Sequence, residues 1–307
     1  MQMRGRHEAL SEYLAAIVGE KKAITTHGGI AWLNCDLRLK EPEIVRKFVC
    51  DRGMGVAYLN DEVAKRFNAS QTRHVLKFAG VFSHQRPYVN RLAHNVSTKG
   101  DPSASGRCEL ADLMFLAVVV DKGKMVLSAR ATFFQAKKSD RMDNETQKWL
   151  YDFDDRFQYV ASEYKIPSFG LERTLPTWDE ERSSALQYLI LNPTSKSPRV
   201  RLTPWVVEHG HPFGFFLYRM LTLSAGKLYD QADVENGGWS TIVRDVLGMA
   251  ARSISSRVNR GSEELDTIVD YFNDFRDNSI YYREYQGGPG GVSLILAIIQ
   301  DTQLVAD

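Results

Sequence analysis

Residues Cys108–Lys138 read CELADLMFLAVVVDKGKMVLSARATFFQAKK, two apolar runs joined by the polar turn Asp121-Lys122-Gly123-Lys124. Val118, Val119 and Val120 lead into the turn, Met125, Val126 and Leu127 lead out, and no proline interrupts either arm. That pattern predicts a β-hairpin. Paired residue numbers in an antiparallel hairpin sum to a constant, so a fold about Lys122-Gly123 sets Asp112 opposite Phe133–Gln135. Gln135 and Lys137 are two apart and share a strand face. A carboxylate, a carboxamide and an ammonium therefore converge at the open end of an otherwise apolar ribbon.

The 307-residue chain is long enough for one large domain or two smaller ones. Its 43% apolar and 25% charged residues are ordinary for a soluble globular protein. The longest apolar runs, Leu113–Val120 and Val292–Ile299, fall far short of the roughly 20 residues that span a bilayer. The N-terminus MQMRGRHEALSEYLAAIV has scattered charges and lacks the apolar core of a secretory signal. Three irregularly spaced cysteines form neither a disulfide framework nor a zinc pattern, so a reduced, cytoplasmic protein is expected. A net charge of +1 gives no global basic field, and nucleic-acid binding would need a local patch.

Around the hairpin, helical spacing covers Glu8–Lys21, Glu41–Cys50 and Asn60–Phe67, with His27-Gly28-Gly29 read as a break and Asn60 as an N-cap. His74–Phe82 is read as a strand and Ser97–Gly106 as a loop. A helix is expected over about Asp143–Phe153, capped by Asn144, then strands at Phe157–Ala161 and Ala185–Leu191. Helices follow over Pro212–Ala225, Trp239–Val258 and Glu263–Phe275, before a glycine cluster and the apolar run Val292–Ile299.

Phosphodiester hydrolysis needs a divalent cation to offset charge on the transition state and activate water. Magnesium takes hard oxygen ligands, typically one or two carboxylates plus waters and substrate phosphates. Asp112 can supply the carboxylate, Gln135 a neutral oxygen, and Lys137 a cation that holds water or stabilises developing charge. An edge hairpin with solvated polar ends would contain the same residues, and spacing alone does not separate the two.

The stretch resembles the core of the restriction-endonuclease-like superfamily, whose signature is written PD-(D/E)XK. Asp112 matches the Asp, and Gln135-Ala136-Lys137 matches the Gln-x-Lys variant of the second half. Gln147-Lys148-Trp149-Leu150-Tyr151 matches the Gln-x-x-x-Tyr motif that follows the lysine in several exonuclease-type branches. The resemblance is specific over about Glu109–Tyr151, and ELADL, FFQAKK and QKWLY also resemble bacterial proteins carrying this core. It implies an α/β fold with a restriction-endonuclease-like core, a mixed central sheet flanked by helices, and additional N- and C-terminal helices. It also implies a Mg²⁺- or Mn²⁺-dependent nuclease acting on DNA, with Asp112, Gln135 and Lys137 as the catalytic set. Two departures stand out: Ala111 replaces Pro, and Gln135 replaces a carboxylate. Glu109, or Glu62 on the preceding helix, is the candidate for the missing charge. An offset of three from Asp112 places Glu109 on the opposite strand face unless the strand begins or bulges between them.

Lys138 and Arg141 stand where substrate phosphates would pass, and Arg130 lies in the same hairpin. Gln147 and Tyr151 are candidates to orient DNA or support Lys137, and His84 to approach the same site. His209-Gly210-His211 lacks further zinc ligands and is read as a loop. The glycine cluster at 287–291 lacks the Lys-Ser/Thr of a phosphate-binding loop. Cys108 has no histidine placed beside it for thiol chemistry. The expected organisation is an N-terminal helical region (1–54), a nuclease core (55–195) and a mainly helical C-terminal region (196–307), packed with the core or apart. The competing expectation is the same fold with its chemistry lost, binding nucleic acid or protein. A third expectation, by analogy, makes the C-terminal helices an oligomerisation or sensor region that gates a bacterial antiviral-defence nuclease, with a homo-oligomer or a defence-system partner protein.

Overall fold

The computed structural model describes residues 2–70, 73–83, 87–92, 106–160, 172–178, 181–205, 209–234, 236–254, 264–273, 282–284 and 291–302. Helices α1 (Gln2–Gly19), α2 (Lys21–Leu33), α3 (Glu41–Cys50) and α4 (Gly55–Leu59) lead, followed by a π-helical turn at Asn60–Ala64 and α5 (Lys65–Ser70). Strands β1 (His74–Phe82), β2 (Tyr88–Arg91), β3 (Arg107–Glu109), β4 (Leu113–Val120) and β5 (Val126–Lys137) precede α6 (Glu145–Asp152). Then come β6 (Arg156–Tyr159), β7 (Glu172–Thr174), α7 (Arg182–Ala185), β8 (Leu186–Ile190), β9 (Arg199–Leu202), β10 (Gly210–Pro212) and α8 (Phe213–Leu221). The remaining elements are β11 (Lys227–Leu228), a 3₁₀ turn at Gln231–Asp233, α9 (Trp239–Ile254), α10 (Glu264–Asn273), β12 (Tyr282–Glu284) and β13 (Ser293–Asp301).

The architecture is mixed α/β. A large mixed sheet runs in the order β10-β9-β8-β5-β4-β13-β1-β12, with β11 added on β5. The hairpin is present: β4 and β5 pair antiparallel with Leu113 opposite Phe134. Asp121 shapes its turn by accepting the backbone N–H groups of Gly123 and Met125. Strand β8 lies parallel to β5, and β13 lies parallel to β4 and antiparallel to β1. Every residue of β4 is buried, as a central strand covered on both faces requires. Its odd-numbered residues face a core built with α1–α5 and α8. Its even-numbered residues face α6, α9, α10 and a second, four-stranded sheet, β3-β2-β6-β7.

The segment 196–307 contributes strands as well as helices, supplying β9, β10 and the central strand β13. The apolar run Val292–Ile299 is this buried strand. His27-Gly28-Gly29 does not break a helix but lies inside α2. The glycine there serves close packing, since a Cβ on Gly28 would lie 2.8 Å from the Gly214 Cα and one on Gly214 1.9 Å from the Thr25 carbonyl oxygen. Asn60 does not cap a helix start either. Its carboxamide accepts from Phe78 N–H (2.9 Å) and donates to Phe78 O (2.8 Å). Asn68 does the same for Leu76 at 2.8 and 3.0 Å. Two amide side chains thus replace a neighbouring strand along β1.

Candidate functional site

The hairpin register brings the open end of β4 against the C-terminal end of β5. Asp112 precedes β4, donates its N–H to Phe134 O at 2.9 Å, and accepts the Ala136 N–H on Oδ2 at 2.8 Å. Its carboxylate thereby occupies a ladder position at the end of the sheet. On the other side, Ser293 N–H donates to Asp112 O at 3.3 Å, which ties the start of β13 to the same point. The C-terminal end of β1 arrives there as well, because Val81 is opposite Leu294.

Glu109 reaches this end from the second sheet. It ends β3, opposite Tyr88 of β2, and the chain crosses to β4 through Leu110–Asp112. The strand-face objection to Glu109 therefore lapses, because β3 ends at Glu109 and the chain changes sheet before Asp112 and β4. Asp112 and Glu109 line one small cleft with Pro42, Ser83, Gly291 and Ser293, with about 10 Å³ of room, close to what a single water needs.

The charges in this cleft are poorly solvated. Burial, then the neighbouring Glu109, lifts the Asp112 carboxyl from 3.8 to about 7, while the Ala136 N–H and Lys137 pull it down. Burial also raises Glu109, opposed by Lys137 and by a hydrogen bond from Tyr88. The N-terminal acid that Asp112 feels is Glu41, at the start of α3. Glu62, the alternative expected from sequence, instead stands 4.0 Å from His27 and next to Tyr58. Glu62 thus meets α2 and does not line the cleft.

Lys137 is almost fully buried. Its ammonium donates to Gln147 Oε1 at 2.8 Å and to Asp143 at 3.3 Å. The Asn144 side chain caps α6 by accepting the Gln147 N–H, which fixes the start of that helix under Lys137. Tyr151, one turn on, is fully buried and donates to Leu110 O at 3.0 Å. The Gln-x-x-x-Tyr pair thus braces the lysine and the β3–β4 crossing, and the burial of Tyr151 leaves it no contact with a nucleic-acid strand.

Gln135 lies across the ladder from Asp112 and is fully buried. Its Nε2 donates to Glu109 O at 3.0 Å and Leu110 O at 3.2 Å, so two carbonyls fix the orientation of the amide. Its Oε1 is buried without a hydrogen-bond partner. Gln135 is not on the wall of the cleft that Asp112 and Glu109 share.

The basic residues divide. The Lys138 ammonium donates to Leu37 O and to Leu39 O, holding the segment before α3 and leaving less of it for phosphate. Arg141 is exposed. Arg130 donates to Gly226 O at 2.6 Å, beside β11. His84 lies outside the described residues. Burial pushes the Cys108 thiol up to about 12, away from nucleophilic use.

A divalent cation is tested against this donor set. Among the described residues no group of three or more His, Cys, Asp and Glu could hold a metal ion. Magnesium does not require three, since it keeps several waters beside one or two carboxylates. Asp112 and Glu109 on one cleft fit that demand. Sequence reading missed Glu41, Ser83 and Ser293. The one available signal was a serine opening the apolar run of β13.

Searches of protein-family models, curated proteins and solved structures returned no match to this chain. No helix among the described residues is long and apolar enough to cross a membrane.

Proposed function

We propose that the protein is a metal-dependent nuclease that hydrolyses phosphodiester bonds, with DNA as the substrate. One observation carries this reading: two poorly solvated carboxylates share a water-sized cleft, and a buried, braced lysine acts on both of them electrostatically. Asp112 and Glu109 would hold Mg²⁺ or Mn²⁺. When bound, the cation offsets charge on the transition state and activates water. Lys137, like Gln135, does not line the cleft itself; its ammonium would act on the two carboxylates and on a developing oxyanion electrostatically. Gln147 and Asp143 prevent that ammonium from swinging away. Asp112 binds as the carboxylate, so its raised pKa makes cation binding compete with a proton near neutrality. The assay is cleavage of single- and double-stranded DNA and RNA with Mg²⁺, Mn²⁺ or EDTA. Full metal-dependent activity in Lys137→Ala would sink the assignment.

The second reading is a binding module on the same framework. It is favoured by Gln135, whose amide is engaged with backbone and does not line the cleft. Calorimetric titration with Mn²⁺ separates the two, because a module without chemistry shows no heat that depends on Asp112.

A further inference from the structure

The cleft contains one polar atom that the proposed chemistry leaves unused. Ser83 follows β1, is 5% exposed, and its Oγ has no hydrogen-bond partner. Its backbone is pinned: Ser293 Oγ donates to Ser83 O at 2.6 Å, and Ser83 N–H points back at Ser293 Oγ at 3.4 Å. Ser293 in turn bonds Asp112 through the backbone. Three adjacent strands therefore lock Ser83 beside Asp112, yet its hydroxyl donates to neither Asp112 nor Glu109. Gly291 keeps the space open, since a Cβ there would lie 3.2 Å from Ser83 Oγ. Ser83, Gly291, Glu109 and Asp112 all line the water-sized cleft.

A buried hydroxyl without a partner is costly unless something fills the gap. We infer that Ser83 Oγ is the third protein oxygen of a divalent-cation site whose other ligands are the carboxylates of Asp112 and Glu109. The inference rests on the metal-site reading of Asp112 and adds a ligand that no superfamily motif supplies. Two carboxylates and one neutral hydroxyl form a hard, all-oxygen set that prefers Mg²⁺ or Mn²⁺ to softer ions.

The test is metal affinity and metal preference in the full chain, read by Mn²⁺ electron paramagnetic resonance and by Cd²⁺ calorimetry. Ser83→Ala should weaken Mn²⁺ about tenfold while leaving thermal stability without metal unchanged or raised. Ser83→Cys places a soft sulfur at the same point. It should raise the Cd²⁺-to-Mn²⁺ affinity ratio at least tenfold over wild type and add a thiolate-to-cadmium ultraviolet band. Gly291→Ala should weaken Mn²⁺ by crowding the gap. Asp112→Asn is the control for the underlying reading. If Asp112→Asn abolishes Mn²⁺ binding while both Ser83 variants keep wild-type affinity and preference, Ser83 is not a ligand and the metal site stands without it. If wild type binds no Mn²⁺, or Asp112→Asn binds it unchanged, the metal reading itself falls and the Ser83 inference with it.

Discussion

Replacing Asp112 by Asn removes a charge from a place that holds it badly. Its folded-state pKa of about 7 lies above the ordinary 3.8 because of burial and Glu109. Between about pH 4 and 7 the folded protein binds this proton more tightly than the unfolded chain. Stability from this group is therefore full at low pH, falls as pH rises through that window, and is lost above it. At 1.36 kcal/mol per pH unit the whole shift is worth about 4 kcal/mol. Water reaching the half-buried carboxylate screens part of it and leaves about 2 kcal/mol to recover. Asp112→Asn should accordingly match wild type in urea unfolding at pH 4 and exceed it by about 2 kcal/mol at pH 8. Saturating Mg²⁺ should stabilise wild type at pH 8 by mass action and leave the variant unmoved. A variant no more stable than wild type at pH 8, with a parallel pH dependence, would refute both the burial argument and the repulsion from Glu109.

Other consequences can be checked separately. Lys137→Ala should lower cleavage at least about a hundredfold, the usual loss for one fixed charge-stabilising group, measured as kcat with saturating Mn²⁺. Gln147→Leu removes the 2.8 Å bond that aims Lys137 and should lower kcat about ten- to hundredfold with little change in KM. Cleavage by the wild type should rise as pH increases through about 7, where Asp112 ionises, and the rise should shift to lower pH as Mg²⁺ is increased. Gly214→Ala drives a methyl into the Thr25 carbonyl and should cost about 1–3 kcal/mol of stability in urea unfolding.

The hairpin and its register were legible because β-branched and aromatic runs around a short polar turn permit few alternatives, and Asp112 and Gln135 do face each other across the ladder. The Lys137–Gln147 contact was accessible through helix phase and the Asn144 cap. Other features depend on partners remote in sequence. Nothing near Val292 indicates that this run separates β4 from β1 in space. Gly28 looks like a helix breaker until Gly214 is set against it. Asn60 looks like a cap until Phe78 presents a free peptide to it. Glu109 is near Asp112 in number, but its access to the cleft depends on a change of sheet that strand periodicity does not report. Gln135 carried the opposite risk: its motif position suggested an oxygen facing the cation, whereas its nitrogen holds the backbone of residues 109 and 110.

The central position of β13 also has a consequence in time. Synthesis proceeds from the N-terminus, so β1 and β4 leave the ribosome long before the strand that joins them. Until residue 301 has emerged, the two strands each present an unpaired flank, and Ser293 is not there to bond Asp112 O and Ser83 O. A nascent chain cannot hold an assembled cleft. Cleavage of nucleic acid would begin only after translation has passed β13, and a nascent chain short of that strand would be inactive. Pairing across so large a sequence separation is also slow, so assembly of the sheet centre should be the late step in refolding, and catalysis should return with that step and not before it.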